Sequence, residues 1–341
     1  MRKKSGGPAD RLLEIVGRFP QARVLVVGDF ILDEFIWGNV SRISPEAPVP
    51  VVNVKKETFL PGGSLNVAHN IHNLGGTVYP CGVVGRDLEG RLLVRRMRRF
   101  GIDTGGVIYD GARPTSLKTR IIAHSQQVVR VDREKAEPIS QADAKKILQF
   151  IRKKIKDVDV IVVEDYGKGV VEPFLLNPLL KLAHEHHRPV LVDPKEKHFD
   201  LYKGVTAITP NRFEAYGALG ISMNGREVPS LESVGQKLLN RLKSDAVLVT
   251  LGEEGMALFE KNRKTTKIPT TAREVFDVSG AGDTVIAVFG LGLAAGANMR
   301  EAAVLSNLAA GIVVGKLGTA TVEPLELKEA VRSRKGALAH A

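Results

Sequence analysis

The sequence predicts an α/β protein with a doubly wound, mainly parallel sheet, helices on both faces and a small inserted antiparallel sheet. Two observations predict this fold. From residue 23 onward, short apolar runs rich in β-branched residues alternate with helix-length segments. Two stretches rich in Val, Ile and Thr then interrupt the alternation. Strands that are apolar on both faces are typical of a parallel sheet covered by helices on both sides.

The parallel sheet begins with a strand from Arg23 to Gly28, which ends in a Gly-Asp pair. Its later strands are expected at 158–163, 190–192, 207–209 and 246–250. Helices are expected at 141–156, 173–186 and 232–243. Because ligands of such sheets bind outside the carboxyl ends of the strands, we expect the functional residues there.

The interrupting stretches cover residues 35–58 and 106–132, and neither has a helical period. Within the second, Ser116 to His124 and Gln127 to Arg133 are typical of a hairpin. We interpret the two stretches as one small antiparallel sheet inserted into the larger domain. Because such a sheet leaves an apolar face bare, it is expected to cover the active site or a second copy of itself.

Length and composition indicate an ordinary globular protein of 341 residues, 43% hydrophobic and 26% charged. We divide it into an N-terminal extension (1–20), one large domain (21–335) and a disordered tail (336–341). The single cysteine, Cys81, excludes a disulfide framework and a cysteine-built metal site. No run reaches the roughly 18 apolar residues of a membrane span, and no secretory signal is present. We therefore expect a cytoplasmic protein with no membrane partner.

The net charge of +11 favours anionic partners, such as nucleic acid or phosphorylated small molecules. Part of the excess lies in one predicted helix, at Arg91, Arg95, Arg96, Arg98 and Arg99. A solvated helix face is the ordinary interpretation. Aromatic residues total only 5%, so a stacking platform for nucleic acid is poorly supported. We expect no nucleic-acid partner. Tight binding of nucleic acid that fades steeply with salt would favour the alternative, a nucleic-acid binder that uses this basic helix.

The strongest local motif, Asp-Val-Ser-Gly-Ala-Gly-Asp-Thr, ends at Thr284, just before an apolar helix expected at 285–295. Gly280 and Gly282 let the backbone turn tightly, and the helix start then favours an anion. A carboxylate repels an anion that binds beside it. Asp283 fits there if it accepts a proton from a hydroxyl that attacks a phosphate. The alternative is that Asp283 only caps the helix.

Weaker motifs follow the other strands or open helices, at 28–33, 61–68, 164–169, 193–195, 209–214 and 249–252. A carboxylate after the first strand can hold a polyol, or can be an ordinary turn residue. Lys168 can reach a phosphate or be solvated, and Asn211 with Glu214 can form a capping box. No P-loop sequence is present, and no Gly-x-Gly-x-x-Gly follows the first strand. These absences exclude a P-loop protein and disfavour a dinucleotide oxidoreductase.

Together, Gly-Gly-Ser-Leu-Asn-Val-Ala at 62–68 and Gly-Ala-Gly-Asp at 280–283 resemble the paired signature of the ribokinase-like (PfkB) carbohydrate kinases. Segments that resemble the D-glycero-β-D-manno-heptose 7-phosphate kinase branch lie at 41–50, 126–127, 130–132, 165–166 and 314–319. The resemblance covers residues 20–333 and is to the stand-alone kinase, without the nucleotidyltransferase domain often fused to it. Glu164 and Gly167 depart from the Ser and Ala that members often carry.

The resemblance implies that the γ-phosphoryl group of ATP moves to the anomeric hydroxyl of the heptose 7-phosphate. The 1,7-bisphosphate formed is an intermediate toward ADP-heptose for the lipopolysaccharide core. Asp283 would be the general base, and the amides of Gly280, Ala281 and Gly282 would form an anion hole. The implied cofactors are ATP and Mg²⁺, with a monovalent cation as a further candidate. The implied partners are a phosphosugar, ATP and a second copy of the chain, paired through the inserted sheet as a lid.

The resemblance also assigns binding residues. Those expected at the sugar are Asp29, Asp33, Gly62, Gly63, Asn66 and Asp165. Those expected at the 7-phosphate, which needs cations, are Lys118, Arg120, Arg130 and Lys168. Those expected at the nucleotide are Lys195, Asn211, Glu214, Thr250, Gly252 and Asn307, with Glu214 acting indirectly on Mg²⁺. Another sugar or phosphosugar kinase of this fold is the first alternative. An idle sugar or nucleotide sensor is disfavoured, because Asp283 and both glycines are intact.

Overall fold

Two sheets organise the protein, and they join directly after its first strand. The computed structural model describes residues 7–124, 126–224, 228–272 and 275–333. Within these ranges the strands are β1 (Arg23–Gly28), β2 (Phe30–Ile43), β3 (Pro50–Gly63), β4 (Thr77–Gly85), β5 (Gly106–Asp110), β6 (Ser116–Ala123), β7 (Gln126–Arg133), β8 (Val160–Glu164), β9 (Val190–Asp193), β10 (Ala207–Ile208), β11 (Ala246–Thr250), β12 (Met256–Glu260) and β13 (Thr266–Ile268).

The helices connect these strands and cover the larger sheet. In the described ranges they are α1 (Pro8–Arg18), α2 (Ser64–Asn73), α3 (Leu88–Arg99), α4 (Gln141–Lys154), α5 (Pro173–Glu185), α6 (Arg212–Gly217), α7 (Leu231–Leu242), α8 (Ala281–Ala294), α9 (Met299–Val313) and α10 (Pro324–Ser333). None of the helices in this part of the chain has the length and apolar character needed to cross a bilayer.

The larger sheet has the strand order β13-β12-β11-β10-β9-β8-β1-β4-β5. Its strands are parallel except where β12 pairs with β11 and with β13. The register aligns Gly28 with Glu164, and Glu164 with Asp193. The carboxyl ends of three neighbouring strands, β1, β8 and β9, therefore lie side by side.

Side chains alternate between the two faces of the larger sheet, and each face has its own apolar core. Val24 and Val26 pack with buried residues of α1, α2, α8, α9 and α10. Leu25 and Val27 pack with buried residues of α4, α5 and α7. This arrangement confirms the predicted parallel sheet with helices on both faces. The predicted N-terminal extension contributes α1, whose Leu12 packs in the first core, and the predicted tail at 336–341 lies outside the described residues.

The smaller sheet, here called the lid, has the order β3-β2-β6-β7. Only Asp29 separates β1 from β2, and β3 leads directly into α2. The lid confirms the small inserted sheet, with differences from the expected pattern. Its first two strands extend beyond residues 35–58, and β2 pairs with β6 in parallel rather than antiparallel. Residues 106–110 form β5, which pairs with β4 at the edge of the larger sheet, because Gly106 aligns there with Cys81.

Gly235 provides a test of how closely α7 packs on the larger sheet. A Cβ atom at Gly235 would lie 2.5 Å from ring atoms of Phe259, which is fully buried in β12. We expect Gly235→Ala to lower the free energy of unfolding by about 1–3 kcal/mol, because a buried ring must move. Urea unfolding of the purified protein measures the change.

The matched control for this variant is Gly17→Ala in α1, where, beyond its chain neighbours and its own helix backbone, no described residue has an atom within 4 Å of the added Cβ. There, alanine is expected to raise the free energy of unfolding by about 0.5–1 kcal/mol through helix propensity alone. Equal effects of the two substitutions would contradict close packing of α7 on Phe259.

Candidate active site

Asp283 lies in the first turn of α8, and its carboxyl group is buried. Asn66 Nδ2, from α2, donates a hydrogen bond to Oδ2 at 2.7 Å. The hydroxyl of Tyr166, which follows β8, donates to Oδ1 at 2.8 Å. Burial raises the pKa of Asp283 to about 6, although both hydrogen bonds act to lower it. The carboxyl group is thus oriented by two segments distant in sequence and is poised to accept a proton near neutral pH.

Gly280 directly precedes α8 and lies in the left-handed region, with φ at 76°. A Cβ atom there would lie 2.5 Å from Asn66 Nδ2, so a side chain would displace the donor that orients Asp283. α8 starts at Ala281 rather than at the predicted 285, because the left-handed turn at Gly280 already aligns the following residues. The Ala281 amide donates to the Val278 carbonyl at 3.2 Å. The predicted anion hole at Gly280, Ala281 and Gly282 would use that amide only after this bond opens.

Two further carboxyl groups lie beside Asp283, those of Glu164 and Asp193. One oxygen from each of the three groups lies within 4.8 Å of the other two. Asp193 Oδ1 accepts a hydrogen bond from Thr209 at 2.8 Å, whereas no N–H or hydroxyl group of the described residues donates to the carboxylate oxygens of Glu164. Glu164 shares its hydrogen bonds with the carboxyl groups of Asp193 and Asp283. Burial, followed by the neighbouring carboxyl groups, raises the pKa of Glu164 well above its usual range, and burial raises that of Asp193 to about 7.

Sequence reasoning placed Glu164 and Asp193 at strand ends but gave neither a role. The available signal was their position after β8 and β9, which are adjacent in the sheet. Tyr166 was missed for a different reason. Nothing in the local sequence shows that its hydroxyl contacts a residue on α8.

Oxygen donors from carboxyl groups suit a hard divalent cation, so the cluster of Glu164, Asp193 and Asp283 has the right chemistry for Mg²⁺.

Asp29 holds the segment that carries Tyr166. Its Oδ2 accepts hydrogen bonds from the backbone amides of Tyr166 and Lys168, each at 3.0 Å. Its Oδ1 accepts from the amide of Val170 at 3.1 Å. Burial raises the pKa of Asp29 to about 6, although these amides act to lower it. Asp29 therefore organises a loop of the protein, and its predicted contact with sugar hydroxyls stays a prediction.

Asp165 is likewise bound to protein groups. It accepts hydrogen bonds from the Tyr202 hydroxyl at 2.6 Å and from the Gly167 amide at 2.7 Å. His198 Nδ1 lies 2.7 Å from the same carboxyl group. These contacts anchor the loop after β8 to the segment after β9. A sugar contact of Asp165, as predicted, would have to share these oxygens.

Asp33 lies on β2 and forms an ion pair with Arg120 of β6. The Asp33 carboxylate lies against Gly62, where an added Cβ would come within 2.1 Å of Oδ2. Gly63 follows at the end of β3, and α2 with Asn66 begins at the next residue. The structure thus joins four of the predicted sugar residues, Asp33, Gly62, Gly63 and Asn66, in one region that ends at Asp283.

The remaining cations predicted for the 7-phosphate are paired with acidic residues. Lys118 lies 3.2 Å from Asp132 and 3.8 Å from Glu134. Lys168 forms an ion pair with Glu134, and Arg130 pairs with Asp132 at 2.9 Å. The lid and the loop after β8 therefore bring Lys118 and Lys168 to one carboxylate. A bound phosphate would have to compete with these acidic partners.

Two cavities flank the start of α8. The first, of about 210 Å³, is lined by polar groups that include the three clustered carboxyl groups, Lys195, Asn211 and Glu214. The second, of about 470 Å³, has a mainly apolar lining that includes Thr250, Gly252 and Asn307. Thr250 and Gly282 line both cavities. All six residues predicted to bind the nucleotide therefore line one or both of two adjoining cavities.

Asn211 and Glu214 form the capping box that the sequence offered as the alternative to magnesium binding. Asn211 Oδ1 accepts from the Glu214 amide at 3.0 Å, and Glu214 Oε2 accepts from the Asn211 amide at 2.9 Å. Burial raises the pKa of Glu214. Asn307 Nδ2 donates to the Pro269 carbonyl at 2.7 Å. The nucleotide roles of these residues stay predictions.

Replacing Asp193 by asparagine tests the cost of holding a half-buried carboxylate beside other acidic groups. The pKa of this group is 3.8 when unperturbed and about 7 in the folded protein. Its burial therefore lowers stability progressively as the pH rises from 3.8 to about 7. With EDTA present, we expect Asp193→Asn to be more stable than wild type by about 1–3 kcal/mol at about pH 8. The gain should vanish as the pH falls toward about 4, as measured by urea unfolding.

The control is Asp245→Asn, which removes an exposed carboxylate paired with Lys261. It should change stability by less than about 0.5 kcal/mol at both pH values. A variant at position 193 that is less stable than wild type at about pH 8 would show that its contact with Thr209 outweighs the burial of charge.

Sequence comparison identifies relatives over most of the chain. Residues 21–326 match the model of the pfkB family carbohydrate kinases. A bifunctional protein HldE of Desulfatibacillum aliphaticivorans is 47% identical over 313 residues, which are 92% of this chain and 64% of that protein. The HldE of Geobacter metallireducens is 47% identical over 89% of this chain and 61% of its own length. The chain spans less than two thirds of the length of these relatives.

Comparison of structures shows the same fold in two sugar kinases. The ribokinase of Arabidopsis thaliana, in complex with ribose and ATP, has a TM-score of 0.69 and 19% identity, over 91% of this chain and 99% of that one. Phosphofructokinase-2 of Escherichia coli, in complex with potassium, has a TM-score of 0.75 and 17% identity, over 92% and 99%. The fold is therefore ribokinase-like, as expected. The family match over residues 21–326 shows that the chain belongs to the pfkB family of carbohydrate kinases.

Proposed function

We propose that the protein transfers the γ-phosphoryl group of ATP to the anomeric hydroxyl of D-glycero-β-D-manno-heptose 7-phosphate. The observation that carries the proposal is the buried Asp283 carboxyl, oriented by Asn66 and Tyr166 at the start of α8 where two cavities adjoin. The motifs shared with the heptose 7-phosphate kinase branch supply the acceptor. The reaction would yield the 1,7-bisphosphate that leads toward ADP-heptose and the lipopolysaccharide core.

In this proposal the nucleoside of ATP occupies the second cavity, whose size and apolar lining are typical of a ligand site. Thr250, Gly252 and Asn307 would contact it. The phosphates would pass the start of α8 into the polar cavity, toward Lys195. Glu164 and Asp193, with Glu214 acting indirectly, would hold the Mg²⁺ that neutralises phosphate charge. A monovalent cation remains a further candidate.

Asp283 would remove the proton from the anomeric hydroxyl as its oxygen bonds to the γ-phosphorus and the bond to ADP breaks. Asn66 and Tyr166 hold both oxygens of the base in place. The carboxylate therefore needs little further ordering to react. The amides at 280–282 would stabilise negative charge that develops on the transferred group. Mg²⁺ would supply further charge neutralisation, while proton removal is the work of Asp283.

The sugar would lie between Asp33, Gly62, Gly63 and Asn66, with Asp29 and Asp165 holding the loop beneath it. The 7-phosphate would recruit the lid cations, drawing them from their present acidic partners.

The lid also presents exposed apolar side chains, including Val54, at 51% exposure, and Val131, at 53%. We propose that these faces pair with a second copy of the chain, since an exposed apolar sheet favours association.

The substrate is tested by ADP release with ATP and magnesium. The acceptors compared are the heptose 7-phosphate, sedoheptulose 7-phosphate, fructose 6-phosphate and ribose. We expect strong turnover with the heptose 7-phosphate alone. Turnover with another acceptor would overturn the substrate but keep the chemistry of Asp283. The absence of turnover with all four would contradict the proposed function.

The base is tested by Asp283→Asn, which keeps the side-chain volume but removes the proton acceptor. We expect kcat to fall by about 10²–10⁴-fold, with ATP affinity largely retained. For wild type, kcat/KM should fall as the pH drops below about 6, because the base becomes protonated. Asp245→Asn serves as the control and should leave turnover unchanged. Residual activity of the variant above about one per cent of wild type would refute the base role.

A further inference from the structure

We propose that Arg113 is a positioning residue for the reaction. It holds the loop at 165–170, which carries Tyr166, and thereby keeps the hydroxyl of Tyr166 on Asp283. Arg113 lines neither of the two cavities beside α8, so it acts through the loop rather than on a ligand. The inference rests on the proposed role of Asp283 as the base, but not on the identity of the sugar.

The position of Arg113 in the fold is the first observation. In the described part of the chain, four connections join the lid to the larger sheet and its helices. The first is Asp29, between β1 and β2, and the second is the junction of β3 and α2. The third runs from β5 to β6 at 111–115, and the fourth runs from β7 to α4 at 134–140. Arg113 lies in the third connection.

The contacts of the Arg113 side chain are the second observation. Nε donates to the Asp110 carboxylate, at the end of β5, at 3.2 Å. Nη1 donates to the Lys168 carbonyl at 2.9 Å, and Nη2 donates to the Glu137 carbonyl at 2.6 Å. The side chain is only 9% exposed. A planar fork of donors thus joins the edge of the larger sheet, the loop at 165–170 and the fourth lid connection.

Lys168 is the residue on which the lid connections converge. Its amide donates to Asp29, of the first connection, at 3.0 Å. Its carbonyl accepts from Arg113, of the third connection, at 2.9 Å. Its ammonium group forms an ion pair with Glu134, of the fourth connection. The lid therefore holds the backbone of Lys168 by both its amide and its carbonyl, two positions from Tyr166.

The loop also packs directly against the fourth connection. The Ile139 amide donates to the Gly169 carbonyl at 2.9 Å. Gly169 has φ at 93°, and a Cβ atom there would lie 1.9 Å from the Glu137 carbonyl oxygen. This oxygen is the one to which Arg113 donates. Loss of the guanidinium would remove a donor that the two segments share where they touch, so we expect the loop to move more freely.

The first test is the pH dependence of turnover in Arg113→Gln. The hydrogen bond from Tyr166 lowers the pKa of Asp283, so a loosened bond should move the acid limb of kcat/KM to higher pH than in wild type. We expect kcat to fall by about 10–100-fold, with the KM for ATP changed by less than about twofold. The variant leaves unchanged the acidic groups that face Asp283, which are those of Asp33, Glu164 and Asp193.

Two further variants separate positioning from a long-range effect of charge. Arg113→Lys keeps the positive charge but replaces the fork of donors by one ammonium group, so it should move the acid limb in the same direction. In a Tyr166→Phe background, Arg113→Gln should move the limb no further, because the contact through which it acts is already absent. Additive shifts in the double variant, or a wild-type pH profile in Arg113→Lys, would overturn the proposal and indicate a direct effect of charge.

Hydrogen exchange measures the hold on the loop without any substrate. Peptides that cover 164–172 should exchange at least about tenfold faster in Arg113→Gln than in wild type, because the loop has lost a support. The matched control is Arg188→Gln, at the amino ends of β8 and β9. The Arg188 guanidinium also donates to two carbonyls, those of Ile155 at 3.2 Å and Lys156 at 2.8 Å.

The control should leave both the exchange of the loop and the pH profile as in wild type. Unchanged exchange of the loop in Arg113→Gln, or equal acceleration in Arg188→Gln, would overturn the proposal.

These outcomes are separable from the proposed function. A protein that phosphorylates none of the four acceptors, but whose loop exchanges faster in Arg113→Gln, would refute the proposed function and keep the hold of Arg113 on the loop. A protein that phosphorylates the heptose 7-phosphate, with normal exchange and a normal pH profile in Arg113→Gln, would refute the role of Arg113 alone.

Discussion

The two hydrogen bonds to the Asp283 carboxyl group are the interaction on which the site depends. One donor comes from α2 and the other from the loop after β8, so the bonds tie three separate parts of the chain to one buried group. The turn at Gly280 completes the arrangement, since any side chain there would strike Asn66. Each of these contacts is local in space and remote in sequence. The geometry of Asp283, the proposed base, is therefore a property of the assembled fold.

Behind this first layer of contacts lies a second one, built on Asp29. This residue stands at the junction of the two sheets, and its carboxylate collects three backbone amides of the loop after β8. Asp165 ties the same loop to the segment after β9. Both carboxyl groups act on the loop that presents Tyr166 and thus act indirectly on Asp283. Asp29 and Asp165 therefore position the backbone of this loop, in addition to lying at the edge of the sheet where ligands of such folds bind.

The site concentrates acidic groups within a protein whose net charge is +11. These groups differ in how they are balanced. Asp29 accepts hydrogen bonds from backbone amides and Asp33 pairs with Arg120, whereas no amide or hydroxyl group in the described part of the chain donates to Glu164. Such a site repels a bare polyphosphate and favours one that arrives with cations. The basic residues of the lid and the acidic edge of the larger sheet are the features on which the proposed anionic sugar and metal-bound nucleotide depend.

The sequence by itself determined the fold class, the strand from 246 to 250 and the hairpin in the lid, because these follow from local runs of apolar and β-branched residues. It also placed the polar motifs at strand ends, and the structure brings most of them to one edge of the larger sheet. Only the tertiary structure decided that residues 106–110 join that sheet, that β2 pairs in parallel with β6, and that Glu164 lies against Asp193. Those outcomes depend on register between strands and on contacts between distant side chains, for which no local pattern carries a signal.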